Sequence, residues 1–194
     1  MIRIGIRMAV FILFCATPAL AIESHPSPEQ VRAALDEGKA AAGLGRAPDT
    51  FYARFGASDE LHPSGFLITK LGALSVLATH MGFRGLQPAE ADVVQALETK
   101  TMLVSTVIFG DTPAFAQESY IVFDQAGKTV KPVTVRFDGQ ANRSAAWPDR
   151  PRFKAKVVAW FNYNEFDPRA KTTITVFPAS GGAESFVLDF AGIQ

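Results

Sequence analysis

The spacing of apolar side chains changes once along this chain, near residue 100. Before it, apolar positions recur every three or four residues. After it, they alternate. Ser27-Pro28-Glu29-Gln30 reads as a helix start, with Ser27 as cap, Pro28 at the first helical position and Gln30 closing a capping box. This helix runs to about residue 42 and stops at Gly43 and Gly45. Its apolar stripe, Val31, Leu35 and several alanines, is thin and predicts light packing. Residues 46–64 read as irregular, pinned to the body by Phe51, Tyr52 and Phe55. A short strand follows over 66–69. Leu71, Leu74, Ala78 and Met81 then fall at helical spacing and predict a helix over 71–82. Pro88 opens another helix, with Glu90 and Asp92 in its first turn and Lys100 at its end, as the helix dipole favours.

From Thr101 the pattern is that of strands. Residues 102–109 are apolar at nearly every position, as in a central strand covered on both faces. Segments 119–123 and 129–137 flank a turn at 124–128. Pro132 has no amide hydrogen to donate and places the second of these at an edge or a bulge. A polar loop spans 139–152. In 153–163, Phe153, Ala155, Val157, Ala159, Phe161 and Tyr163 share one face. Lys154, Lys156, Asn162 and Asn164 share the other with Val158 and Trp160. Segments 171–177 and 184–190 make a final hairpin, with Phe186, Leu188 and Phe190 inward. The expected fold is α+β: an antiparallel β-sandwich of about seven strands, the count of immunoglobulin-like sandwiches. It carries an N-terminal helix and a two-helix insertion after the first strand. The expected organisation is a leader over 1–21, a helix and irregular segment over 22–64, and a sandwich over 65–194 with the insertion at 71–100.

The leader changes the picture of where this chain works. Arg3 and Arg7 precede an apolar run from Met8 to Ala16, followed by Pro18 and the small residues Ala19 and Ala21. Basic, apolar, small is the order of a secretory signal peptide, with cleavage after Ala21. The run is too short to span a bilayer, which takes about 20 residues. Phe14 is too bulky for lipid-modifying cleavage before Cys15, the only cysteine. A mature chain starting at Ile22 therefore has no thiol. That excludes disulfides, thiolate metal sites and c-type haem attachment. The expected location is outside the cytoplasm, periplasmic or secreted, with no transmembrane anchor. With 19 basic and 19 acidic residues in all, loss of Arg3 and Arg7 leaves a net charge of about −2. That balance argues against nucleic acid or an anionic membrane surface as partner.

Motifs for chemistry are sparse. No serine stands in Gly-x-Ser-x-Gly, and Ser64 and Ser180 adjoin glycine as turn residues do. His25, His62 and His80 are the available imidazoles, and structural roles account for them. Asp59, Glu60 and His62 form the densest polar cluster, at a spacing that matches no recurring metal motif. Glu118, Asp124, Glu165 and Asp167 are candidate glycosidase acids only if the fold opposes two of them. The sequence assigns no catalytic residue, metal or cofactor. It points to a non-enzymatic domain that binds a protein, an envelope component or a small ligand, or alternatively to an exported hydrolase with a dispersed carboxylate or serine site. Trp160, beside Val158 on an otherwise polar face, is the candidate binding residue. Cover by the helices is the competing expectation, because large open apolar patches are rare on monomers.

Overall fold

A computed structural model describes residues 21–193. Residues 1–20 of the expected leader, with Cys15, lie outside the described residues. Two antiparallel sheets pack face to face, as the alternation predicts. Among the described residues the first sheet holds β1 (Ala53–Gly56), β2 (Ser64–Ile68), β3 (Thr101–Gly110), β8 (Phe153–Asn162) and β6 (Thr134–Phe137), in that order, with the short β7 (Asn142–Arg143) also paired to β8. The second holds β10 (Glu184–Asp189), β9 (Lys171–Phe177), β4 (Tyr120–Gln125) and β5 (Lys128–Val130).

One core lies between them. Met102, Val104 and Ile108 from β3 and Val157, Ala159 and Phe161 from β8 face Ile121, Phe123, Ile174 and Val176 across the gap. The rings of Phe123 and Phe161 stack between the sheets with centroids 3.6 Å apart. Several buried polar groups are satisfied within the fold, although Asp111 Oδ1 and Ser119 Oγ are buried without a hydrogen-bond partner among the described residues. Thr106 Oγ1 donates to the Val157 carbonyl at 3.2 Å. The Gln125 amide donates to the Asp167 carbonyl and Thr172 Oγ1 and accepts the Asp167 N–H. Ile22, just after the expected cleavage point, is almost wholly buried in this core.

The strands number ten among the described residues because three features exceed what alternation shows, the shortest being the two-residue β7 inside the loop expected over 139–152. β1 lies inside the stretch expected to be irregular: four residues are too few to display a period, and only pairing with β2 makes them a strand. The single strand expected over 129–137 is two strands in different sheets. β5 ends at Val130, the chain crosses at Pro132, and Val133 N–H donates to the Trp160 carbonyl as β6 begins. A proline without a donor suits that crossing, where a continuous ladder would need one. The helical insertion consequently follows the second strand.

Among the described residues there are three α-helices: α1 (Pro28–Gly43), α2 (Lys70–Gly82) and α3 (Glu90–Glu98). Ser27 and Gln30 form the expected capping box, and Thr69 Oγ1 accepts the Gly72 N–H at the start of α2. The thin stripe of α1 does not mean light packing. Ser75 Oγ donates to the Ala34 carbonyl and Thr79 Oγ1 to the Gly38 carbonyl, each at 3.0 Å. Small side chains let the two backbones approach until these bonds form. The matched pairs 34/75 and 38/79 rise together, so the helices run parallel. Val31, Leu35, Leu71, Leu74, Val93 and Leu97 make a second, separate cluster among the helices.

Candidate binding face

The outward side chains of the larger sheet line up across four strands. Register places Ile68, Leu103, Trp160 and Thr134 in one row, and Phe66, Ser105, Val158 and Arg136 in the next. Ser64, Val107 and Lys156 form a third, with Phe109 beside Lys154 beyond it. Seven apolar side chains thus share this face: Phe66, Ile68, Leu103, Val107, Phe109, Val158 and Trp160. All are half-buried, and none belongs to either packed core. In a pleated sheet, neighbours in the same face shield each other from the sides while the outer surface remains open.

The candidate residues Trp160 and Val158 sit together in the middle of this face. The apolar side chains of the helices cluster with one another, and Trp160 and Val158 are themselves half-buried. Arg136 extends its guanidinium over the Trp160 ring at 5.5 Å, a cation–π contact that holds the indole against the sheet. Tyr52 stacks on Phe66 at 4.6 Å at the opposite margin, where Arg54 pairs with Asp49. Lys154 and Lys156 add positive charge along the β8 side. Asp138 lies next to them, where its carboxylate accepts the Lys156 backbone N–H at 2.8 Å. The surface is apolar at its centre and cationic at its margin.

The other candidates are not assembled into a site. Asp59 Oδ1 accepts the Leu61 N–H at 2.8 Å and lies 2.9 Å from His62 Nδ1, all at the surface. The Leu61 N–H and then His62 hold the Asp59 carboxyl below its ordinary range. This is a turn closed by its own side chains, and Glu60 is not drawn into it by any of these bonds. His25 bonds Ser24, and His80 lies exposed on α2. Asp124 and Asp167 each accept a backbone N–H within their own turns. Ser64 pairs into β2 and Ser180 stands exposed between β9 and β10. Among the described residues, no three His, Cys, Asp or Glu side chains are grouped to hold a metal.

One cleft was invisible to sequence reasoning. It has a volume of about 360 Å³ and is lined by Gln30, Glu37, Thr50, Tyr52, Ser75 and Ile193, among others. It brings together segments more than a hundred residues apart, and no local pattern marks it.

Fold and face together describe a β-sandwich domain with a helical annex and one sheet surface lined by half-buried apolar side chains. Comparison with known proteins adds little to that class. No protein-family model matches this chain, and no curated protein matches it. Among solved structures, the archaellum periplasmic stator protein FlaG from Sulfolobus acidocaldarius is similar over 47% of this chain and 88% of its own, at 13% identity and a TM-score of 0.32. The complex of FlaF and FlaG from the same organism matches over 46% of this chain and 77% of that one, at 14% identity and a TM-score of 0.28. Scores this low do not establish a shared fold.

Proposed function

We propose that this protein is an exported, non-enzymatic interaction domain that binds a protein partner through the outer face of its six-stranded sheet, with Trp160 and Val158 at the centre of the contact. The observation that carries the reading is the continuity of the apolar face across β2, β3 and β8. Contiguous apolar surface rimmed by polar and charged residues is a mark of interaction sites. Tryptophan at the centre and arginine beside it are the residue types enriched at binding hot spots. Export rests on the order of segments in residues 1–21. Among the described residues, no helix is long and apolar enough to cross a membrane.

The test is site-specific crosslinking in an exporting host. A photoreactive residue at Val158 should join a defined protein, and the product should vanish when Trp160→Ser is added. The same probe at Val187, exposed on the other sheet, should not form it. An identical product from Val187, or one indifferent to Trp160→Ser, refutes the face. Mass spectrometry of the exported chain should find Ile22 at its amino terminus.

A further inference from the structure

The net charge of the chain hides a local imbalance at the far end of the helical pair. The parallel helices α1 and α2 finish side by side. A side chain added at Gly82 would meet Ala42 Cβ at 2.6 Å, so the last turns touch. Both then stop in the same way. Arg46 N–H reaches the Ala41 carbonyl and Gly45 N–H the Ala42 carbonyl. Leu86 N–H reaches the Met81 carbonyl and Gly85 N–H the Gly82 carbonyl. This is the Schellman pattern twice over. Gly45 and Gly85 take the left-handed conformation it requires, at φ +67° and +70°. Hydrogen bonding therefore fixes the shape of the tip.

Three large apolar side chains project from it. Leu44 is 68% exposed, Leu86 57% and Phe83 50%. Arg46 and Arg84 stand next to them, also exposed. Neither residues 38–48 nor residues 79–89 contain a single Asp or Glu. The end of the pair is thus apolar and cationic, and Leu86 also lines a cleft with Arg32, Asp36 and Lys39. Part of the positive charge complements the carbonyl ends of the two helices. That role explains the arginines but not Leu44 and Phe83, which gain nothing from facing water.

We infer that this tip is a membrane-docking element that inserts Leu44, Phe83 and Leu86 into the headgroup region of a bilayer while Arg46 and Arg84 pair with anionic lipid phosphates. Interfacial binding of this kind combines shallow burial of apolar side chains with attraction to anionic lipid. Charge complementarity selects an anionic lipid surface: Arg46 and Arg84 stand exposed beside the exposed apolar side chains, with no carboxylate in residues 38–48 or 79–89. The inference is independent of the sheet face, which lies on a different part of the molecule and whose residues it does not use.

Co-sedimentation of the chain from Ile22 onward with vesicles tests it. Vesicles of phosphatidylcholine mixed with phosphatidylglycerol should bind the protein at low salt, and phosphatidylcholine alone should bind it at least about tenfold less. Screening shortens the Debye length from about 10 Å at 0.1 M to about 3 Å at 1 M salt, so high salt should also release it. Arg46→Glu with Arg84→Glu should lower partitioning by about tenfold or more. Leu44→Ser with Phe83→Ser and Leu86→Ser should abolish it, with an unchanged circular-dichroism spectrum, while Val187→Ser should have no effect. Phe83→Trp in a background with Trp147→Phe and Trp160→Phe should shift its emission to the blue on binding. Failure to bind the mixed vesicles overturns the inference, as does binding insensitive to both sets of substitutions. Binding of polyglutamate through the same residues without binding to vesicles assigns the tip to a protein partner and likewise overturns it.

Discussion

Replacing Gly38 with alanine tests the packing of α1 on α2, because helix propensity and packing predict opposite signs. Alanine in the middle of a helix is favoured over glycine by about 1 kcal/mol. If α1 packed lightly, Gly38→Ala would therefore stabilise the protein. The structure predicts the reverse. A side chain at Gly38 would fall on the Ser75 carbonyl oxygen and 2.8 Å from Ala78 Cβ. Neither can turn away: one belongs to the α2 backbone and the other has no rotamer to change. The helices must separate, at an overpacking cost of about 1–3 kcal/mol. Separation also strains the buried bonds from Ser75 to Ala34 and from Thr79 to Gly38, each contributing about 1 kcal/mol. Set against the propensity gain, the net loss is about 2–4 kcal/mol. At an m-value of about 2 kcal/mol/M, the urea midpoint should fall by roughly 1–2 M. Gly43 is the internal control, since an added side chain there meets nothing within 4 Å. Gly43→Ala should leave the midpoint unchanged or raise it. A Gly38→Ala midpoint at or above that of the parent refutes the close-packed pair.

Three further outcomes follow from the cores. Phe161→Ala removes one ring of the stack between the sheets and should cost about 3–5 kcal/mol, read by chemical denaturation; a loss under about half a kcal/mol would mean the register is wrong. Ile22→Ala should cost about 2–5 kcal/mol in a chain beginning at residue 22, because that side chain is buried in the sandwich; a neutral result would show that the segment is not seated there. Tyr163 has its phenol pKa raised by burial, partly offset by a hydrogen bond from the Lys70 backbone. Above its ordinary value of about 10, the unfolded chain loses this proton before the folded one, so stability falls as pH rises past that point. Tyr163→Phe should make the alkaline decline shallower, and an unchanged slope in pH-dependent melting would show that Tyr163 does not contribute to it.

Local chemistry was legible in the residues themselves. The capping box at Ser27 and Gln30, the alternation of 153–163 and the terminal hairpin involve neighbours a few positions apart, and such forces write their period directly into the chain. The sandwich follows from them, since strands with one apolar face must bury it against another sheet. Trp160 and Val158 were also identifiable, as apolar residues on the polar side of a clear alternation.

Everything that depends on pairing between distant segments was decided by the tertiary structure. Alternation says which way a side chain points, but not which strand lies beside it. Register alone brings Ile68, Leu103 and Trp160 into one row and makes a face from three unremarkable segments. The split at Pro132 was hidden because strands in two sheets can share one apolar pattern. The alanine-rich stripe of α1 looked weak because its strength depends on Ser75 and Thr79, some forty residues away. The apolar, cationic tip exists only because two helix ends, ordinary when read singly, are held together by that same contact.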